Sequence, residues 1–164
     1  MITWDNREEW LKLIPRESGI RFGLFCARQI QHEWRMSGNA THAISMVEKW
    51  LKGEAQPEEC DLAGREAFAA ISCYRHAPSQ KALANAISVC ASVARQVVWS
   101  APHRKITAFI PRYAMAGSAD VISAFADPKQ QKEAKQEQVE YLRTLYLENL
   151  PEEVRNCWLV QACL

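Results

Sequence analysis

Six cysteines and four histidines are the side chains of this sequence best suited to nucleophilic or metal chemistry. Cys73 and His76 stand three residues apart. On a helix that spacing puts a thiolate and an imidazole on one face and makes half a zinc site. No second pair with ligand spacing accompanies them, so no metal is expected, and Cys73 and His76 are the only candidates for one. Cys26 with His32, or Cys73 with His76, are the local pairings that a Cys–His dyad would need. Both read more simply as packing residues, because a free cysteine behaves as a small buried hydrophobe. The remaining cysteines, Cys60, Cys90, Cys157 and Cys163, are widely and irregularly spaced, which argues against a disulfide framework. Paired carboxylates at Glu8-Glu9, Glu58-Glu59 and Glu152-Glu153 each fall in the first turn of a predicted helix, where the helix dipole accounts for them. A nucleophile elbow, a phosphate loop and a kinase signature are all missing. The residues therefore lead to the expectation of a non-enzymatic protein with no catalytic residues and no cofactor.

The elements that carry these residues read as helices throughout, with no alternation long enough for a strand. Thr3 or Asp5 is placed to cap a short first helix bearing Trp4, Trp10, Leu11 and Leu13, ended by Pro15. Ser18 is placed to cap a second helix running to about Ser37, with Ile20, Leu24, Ala27, Ile30 and Trp34 as its stripe. Gly38 is expected to close it and Asn39 to cap the third, whose core face is Ala40, Ala43, Ile44, Val47, Trp50 and Leu51, with Gly53 past its end. Pro57 opens a fourth helix with Cys60, Ala63, Ala67, Ala70, Ile71 and Tyr74 inward, and Pro78 a fifth with Leu83, Ala86, Ile87, Cys90, Val93, Ala94 and Val97. The small residues on these two faces predict close axial approach. Ser100 and Pro102 are placed to begin another helix, interrupted by Pro111. Helical character returns over Ala114 to Phe125, with Gly117 as a soft point. Asp127-Pro128 begins a long helix that is polar to Gln138 and amphipathic from Val139, so its first half is expected to project into solvent. Pro151 starts a last short helix ending near Cys163, and Trp4, Trp10, Trp158, Leu159 and Val160 are placed to seal the core or to make a dimer. The whole reads as a single-domain all-α bundle of seven or eight helices spanning 1–164.

A chain of 164 residues is enough for one domain and for a core that needs no staple. Met1 to Trp10 carries Asp5, Glu8 and Glu9 where a signal peptide would carry Lys or Arg, and no window approaches 18 uncharged apolar residues. The expected location is cytoplasmic, without membrane contact. The formal net charge of +1 is unevenly distributed. Residues 1–66 hold 9 basic and 11 acidic side chains (net −2), residues 67–126 hold 6 and 1 (net +5), and residues 127–164 hold 5 and 7 (net −2). The basic middle is either a surface for an acidic partner or a charge that packs against the acidic flanks. On the first reading Arg95, His103, Arg104, Lys105 and Arg112 are the partner-binding candidates. Nucleic-acid binding through 67–126 is the alternative, although the aromatic residues nearby, Trp99, Phe109 and Tyr113, fall at helical spacing suited to a core.

One run of residues has a wider likeness. Arg21-Phe22-Gly23-Leu24-Phe25-Cys26-Ala27-Arg28-Gln29-Ile30, then Trp34, Ala43 to Glu48, Trp50, Gly53-Glu54 and the alanine-bearing fourth helix together resemble alanine-rich helical bacterial proteins. Some of those are regarded as predicted immunity proteins of polymorphic toxin systems, and the others are uncharacterised. Gln138 with Leu142-Arg143 and Leu145 is similar to a Q-x-x-L-L-R helix found in the uncharacterised ones. The sequence departs from them in its lower alanine content after residue 91 and in Pro102 and Pro111. The resemblance implies a protein-binding inhibitor that neutralises a toxin or effector. A phage or mobile-element inhibitor of a host defence enzyme is the neighbouring possibility. No site residue carries over from the resemblance.

Overall fold

A computed structural model describes residues 1–33, 38–71, 81–99 and 109–155, with the side chains of 31–33, 81–86, 99 and 109–113 left aside. The described residues form α1 (Arg7–Leu11), α2 (Arg16–Glu33), α3 (Gly38–Leu51), α4 (Pro57–Ala70), α5 (Lys81–Trp99), α6 (Phe109–Ala124), α7 (Pro128–Glu148) and α8 (Glu152–Arg155), with no strand among them. The all-α bundle expected from the apolar periodicity is what the chain forms.

The bundle is organised around α5, which packs against α2, α3, α4 and α6. A helix touched on so many sides must be apolar around most of its circumference. Ile87, Val89, Cys90, Ala91, Val93, Ala94, Gln96 and Val97 are accordingly all buried. The single stripe expected from sequence is thus too narrow: Val89, Ala91 and Gln96 lie outside it and are buried as well. The close α4–α5 approach is present. A β-carbon placed on Gly64 would lie 2.8 Å from the Ala91 carbonyl oxygen and 3.2 Å from the Ala94 β-carbon, so the two backbones meet with no room for a side chain.

Local signals set several boundaries as expected. Gly53, at φ 77°, ends α3 in a Schellman motif: Gly53 N–H donates to the Trp50 carbonyl (2.9 Å) and Glu54 N–H to that of Lys49 (2.8 Å). Pro57 opens α4, and the Glu59 carboxylate accepts from Gln56 N–H (2.7 Å). The Asp127 carboxylate accepts from Lys129 N–H (2.8 Å) at the start of α7.

Other boundaries differ. Gly38 is the first residue of α3 rather than the stop of α2, since it lacks the left-handed φ that a C-terminal glycine supplies, and Asn39 consequently lies inside the first turn. Ser18 does not cap α2. The Pro15 carbonyl takes the first helical bond, from Gly19 N–H (3.0 Å), which leaves Ser18 inside the helix and buried. Leu13 lies beyond the end of α1 and is exposed, while Ile2 and Ile14 are buried in its place. Pro111 sits in the first turn of α6, where a missing N–H breaks no helical bond. The first half of α7 is anchored rather than projecting: Ala134 and Gln138 are buried. The expectations for Trp34, Ser37, Tyr74, Pro78, Ser100, Pro102, Cys157, Trp158, Leu159, Val160 and Cys163 fall outside the described residues.

Candidate functional site

α2 and α7 run antiparallel, joined along their length by polar and aromatic contacts. Asn149 Nδ2, just past α7, donates to Ser18 Oγ (3.1 Å), and Arg21 pairs with Glu148 (2.9 Å). Phe25 stacks on Tyr141 with ring centroids 4.3 Å apart, and Gln29 Nε2 donates to Glu137 Oε2 (2.8 Å) and to the Ala134 carbonyl (3.3 Å). Toward the start of α7 the two helices leave a groove of about 380 Å³, lined by Phe25, Arg28 and Gln29 of α2, by Phe125, and by Gln130, Glu133, Ala134 and Glu137 of α7. A second depression, lined by Glu133, Gln136, Glu137 and Glu140, continues it along α7.

The groove has a fixed floor because a chain of buried polar groups holds it from behind. Arg7 Nε donates to Ser118 Oγ (3.1 Å), Ser118 Oγ to Gln138 Oε1 (2.7 Å), and Gln138 Nε2 to Gln29 Oε1 (2.8 Å). Gln29 then passes the chain to Glu137 at the groove. Four helices are tied in this way: α1, α6, α7 and α2. Buried amides without partners cost about 1–3 kcal/mol each, so a chain that satisfies them in series admits one side-chain arrangement. Arg7 also donates to the Trp4 carbonyl and lies over the Trp4 ring, 3.5 Å from its centroid. Desolvation lowers the pKa of its guanidinium, opposed by Cys26, Asp5 and Glu8.

The groove is electrostatically sided. Glu133, Glu137 and Glu140 share one face of α7 by their i, i+4, i+7 spacing, while Lys132 and Lys135 fall on other faces. Lys135 in fact reaches the Trp4 ring, 5.4 Å from its centroid. Arg28, the cation of the lining, is held by Glu48 of α3, to which both its Nε (2.8 Å) and an Nη donate. Phe25 and Phe125, both partly buried, give the groove its apolar surface. The Phe125 carbonyl accepts from Gln131 Nε2 (2.8 Å), which fixes the turn between α6 and α7.

The residues singled out by sequence lie elsewhere. Arg95 projects from α5 to α4, where its Nε lies 3.5 Å from Asp61 Oδ1, and Asp61 also pairs with Arg65 (2.6 Å). At this position the basic middle meets an acidic neighbour, whose one carboxylate is shared between Arg95 and Arg65. Arg112 is in the first turn of α6, with its side chain outside the described residues. His103, Arg104, Lys105, Cys73 and His76 also lie outside them. Cys26, Cys60 and Cys90 are buried thiols. Burial raises all three thiols, Cys60 to about 11 and Cys90 to about 12, which leaves them protonated and unreactive at neutral pH. Among the described residues no group of three or more His, Cys, Asp or Glu is placed to hold a metal, and no helix is long and apolar enough to cross a membrane.

The groove was not among the sequence candidates. Its signal was the i, i+4, i+7 run of Glu133, Glu137 and Glu140, but α2 had to be placed beside α7 before Phe25 and Gln29 joined it. Gln29 and Gln138, two residues that carry the resemblance, turn out to be adjacent members of the buried chain behind the groove. No protein-family model, no curated protein and no solved structure matches the sequence.

Proposed function

We propose that this chain is a non-enzymatic protein-binding inhibitor that receives its partner in the α2–α7 groove. The groove supports the reading: an open, partly aromatic depression between two helices, with its polar side chains held in place from within. A preorganised surface of this kind loses little side-chain entropy when a partner docks. The described residues around it, Phe25, Gln29, Phe125, Glu133 and Glu137, suit recognition of another surface. The resemblance of the Arg21 to Ile30 run and the helices after it to alanine-rich helical proteins, some of them regarded as immunity proteins, supplies the form of the reading, an inhibitor that neutralises a toxin or effector. The mobile-element inhibitor shares the same mechanism with a different target.

The test is co-expression with the product of the gene adjacent to its own. The reading requires a stoichiometric complex that survives gel filtration and a partner whose activity falls on binding. Phe125→Ala should weaken that complex at least tenfold while the far-ultraviolet helical signal is retained. A complex unaffected by Phe125→Ala would place docking elsewhere, and free migration of the two proteins would remove the reading.

A further inference from the structure

We infer that the α2–α7 groove takes a cationic amphipathic helix of its partner protein, with apolar residues against Phe25 and Phe125 and Lys or Arg along the Glu133–Glu137–Glu140 edge; this rests on the protein-binding reading above. Charge complementarity selects this occupant. The lining presents Glu133 and Glu137, and its continuation along α7 adds Glu140. Among the described residues the cation within the groove is Arg28, which is already held by Glu48 through two donors, so its field at the surface is reduced. The nearest described cations do not restore balance. Lys135 turns toward Trp4, while Lys129 reaches Glu133 only at 3.9 Å and Arg143 reaches Glu140 at 3.6 Å. The carboxylates of both pairs are well exposed, so each pair has little strength in water and yields readily to a partner's cation. An acidic or phosphate-rich partner is therefore repelled from this edge, and a basic one is drawn to it.

The length of the acidic edge suits a docked helix. From Gln130 to Glu140 the edge extends over about 15 Å at the helical rise of about 1.5 Å per residue, which matches about three turns of a docked helix. The volume of about 380 Å³ holds a few side chains rather than a backbone. That is the requirement of a helix lying across a groove and inserting anchors at i, i+3, i+4 and i+7. Apolar anchors supply affinity against the aromatic surface, while the carboxylates set orientation and association rate.

The experiment uses the full chain and three labelled helical peptides of about 18 residues, long enough to hold helix in water. All share one leucine face; the flanking positions carry Lys and Arg, Gln, or Glu. Fluorescence anisotropy should show the cationic peptide binding at least tenfold more tightly than the neutral one, with the acidic peptide weaker still, and the preference should shrink as salt is raised. Glu133→Lys with Glu140→Lys should reverse the order, and neither residue belongs to the buried chain. A Glu133→Gln, Glu140→Gln variant, expected to reduce the preference without reversing it, guards against misfolding of the doubly reversed protein. Equal binding of all three peptides, unchanged in the variants, would overturn the charge inference and leave the groove as a neutral docking site. Failure of every peptide to bind would overturn it too, and the complex with the neighbouring gene product would then stand or fall on its own result.

Discussion

The Ser118 hydroxyl of α6 donates to Gln138 Oε1 of α7 across 2.7 Å, and both residues are fully removed from solvent. This bond is the middle link between Arg7 at one side of the bundle and Glu137 at the groove. Ser118→Ala removes the acceptor of Arg7 Nε and a donor to Gln138 in one step. Because buried groups left without partners cost about 1–3 kcal/mol, the variant should unfold at lower denaturant with an unchanged m-value. A Ser118→Ala protein as stable as the parent would show that the chain adds nothing to the fold.

Gln96 of α5 gives the opposite case. It is 1% exposed, and among the described residues neither its Nε2 nor its Oε1 has a hydrogen-bond partner. Replacing both polar atoms by an apolar side chain of similar shape removes a desolvation penalty and keeps the volume. Gln96→Met should therefore raise stability by about 1 kcal/mol, read from chemical denaturation. A loss of stability would mean that the amide finds a partner in solution, such as an ordered water.

Two glycines that look alike in sequence should respond in opposite directions. A β-carbon at Gly64 meets Arg95 Cγ at 2.7 Å and the Ala91 carbonyl oxygen at 2.8 Å; the arginine can turn aside but the backbone oxygen cannot. Gly64→Ala should force α4 and α5 apart and cost about 1–3 kcal/mol, the usual cost of overpacking. At Gly117 the nearest atom is Val89 Cγ1 at 3.5 Å, an ordinary contact, in the interior of α6. Gly117→Ala should gain about 0.5–1 kcal/mol by helix propensity and a less flexible unfolded chain. Thermal melts of the two variants measured side by side check both signs.

The contrast between these glycines marks how far the sequence alone could be read. Periodicity located the helices well, because each bears an apolar stripe that is a property of its own residues. The starts of α4 and α7 were equally legible, because Gln56-Pro57 and Asp127-Pro128 act within a few residues of themselves. What escaped depends on neighbours distant in sequence. The hydroxyl of Ser18 reads as a cap, whereas its partner is Asn149, 131 positions away. Gln138 reads as the solvent face of a polar helix until Ser118 and Gln29 close around it. The groove is of the same kind: Glu133 and Glu137 are legible as charges, but they become a site only when Phe25, from about a hundred residues earlier, lies across from them. The basic middle showed the converse, since Arg95 reads as available charge until Asp61 is found beside it.

Asp120 of α6 connects the fold to pH. Burial raises its carboxyl pKa above the ordinary value of 3.8. A carboxyl whose folded pKa is raised binds its proton more tightly in the folded state than in the unfolded one. It therefore opposes folding when ionised, and this opposition is fully present above the raised pKa. As pH falls through the raised value toward 3.8, protonation removes the opposition. Asp120→Asn should accordingly be more stable than the parent at pH 7, with the difference closing as the pH is brought below 4. Urea denaturation of both proteins across that range measures the difference directly. A gap that is constant with pH would mean that the substitution acts through packing alone, and a gap that widens on acidification would mean that the folded protein favours the ionised form of Asp120.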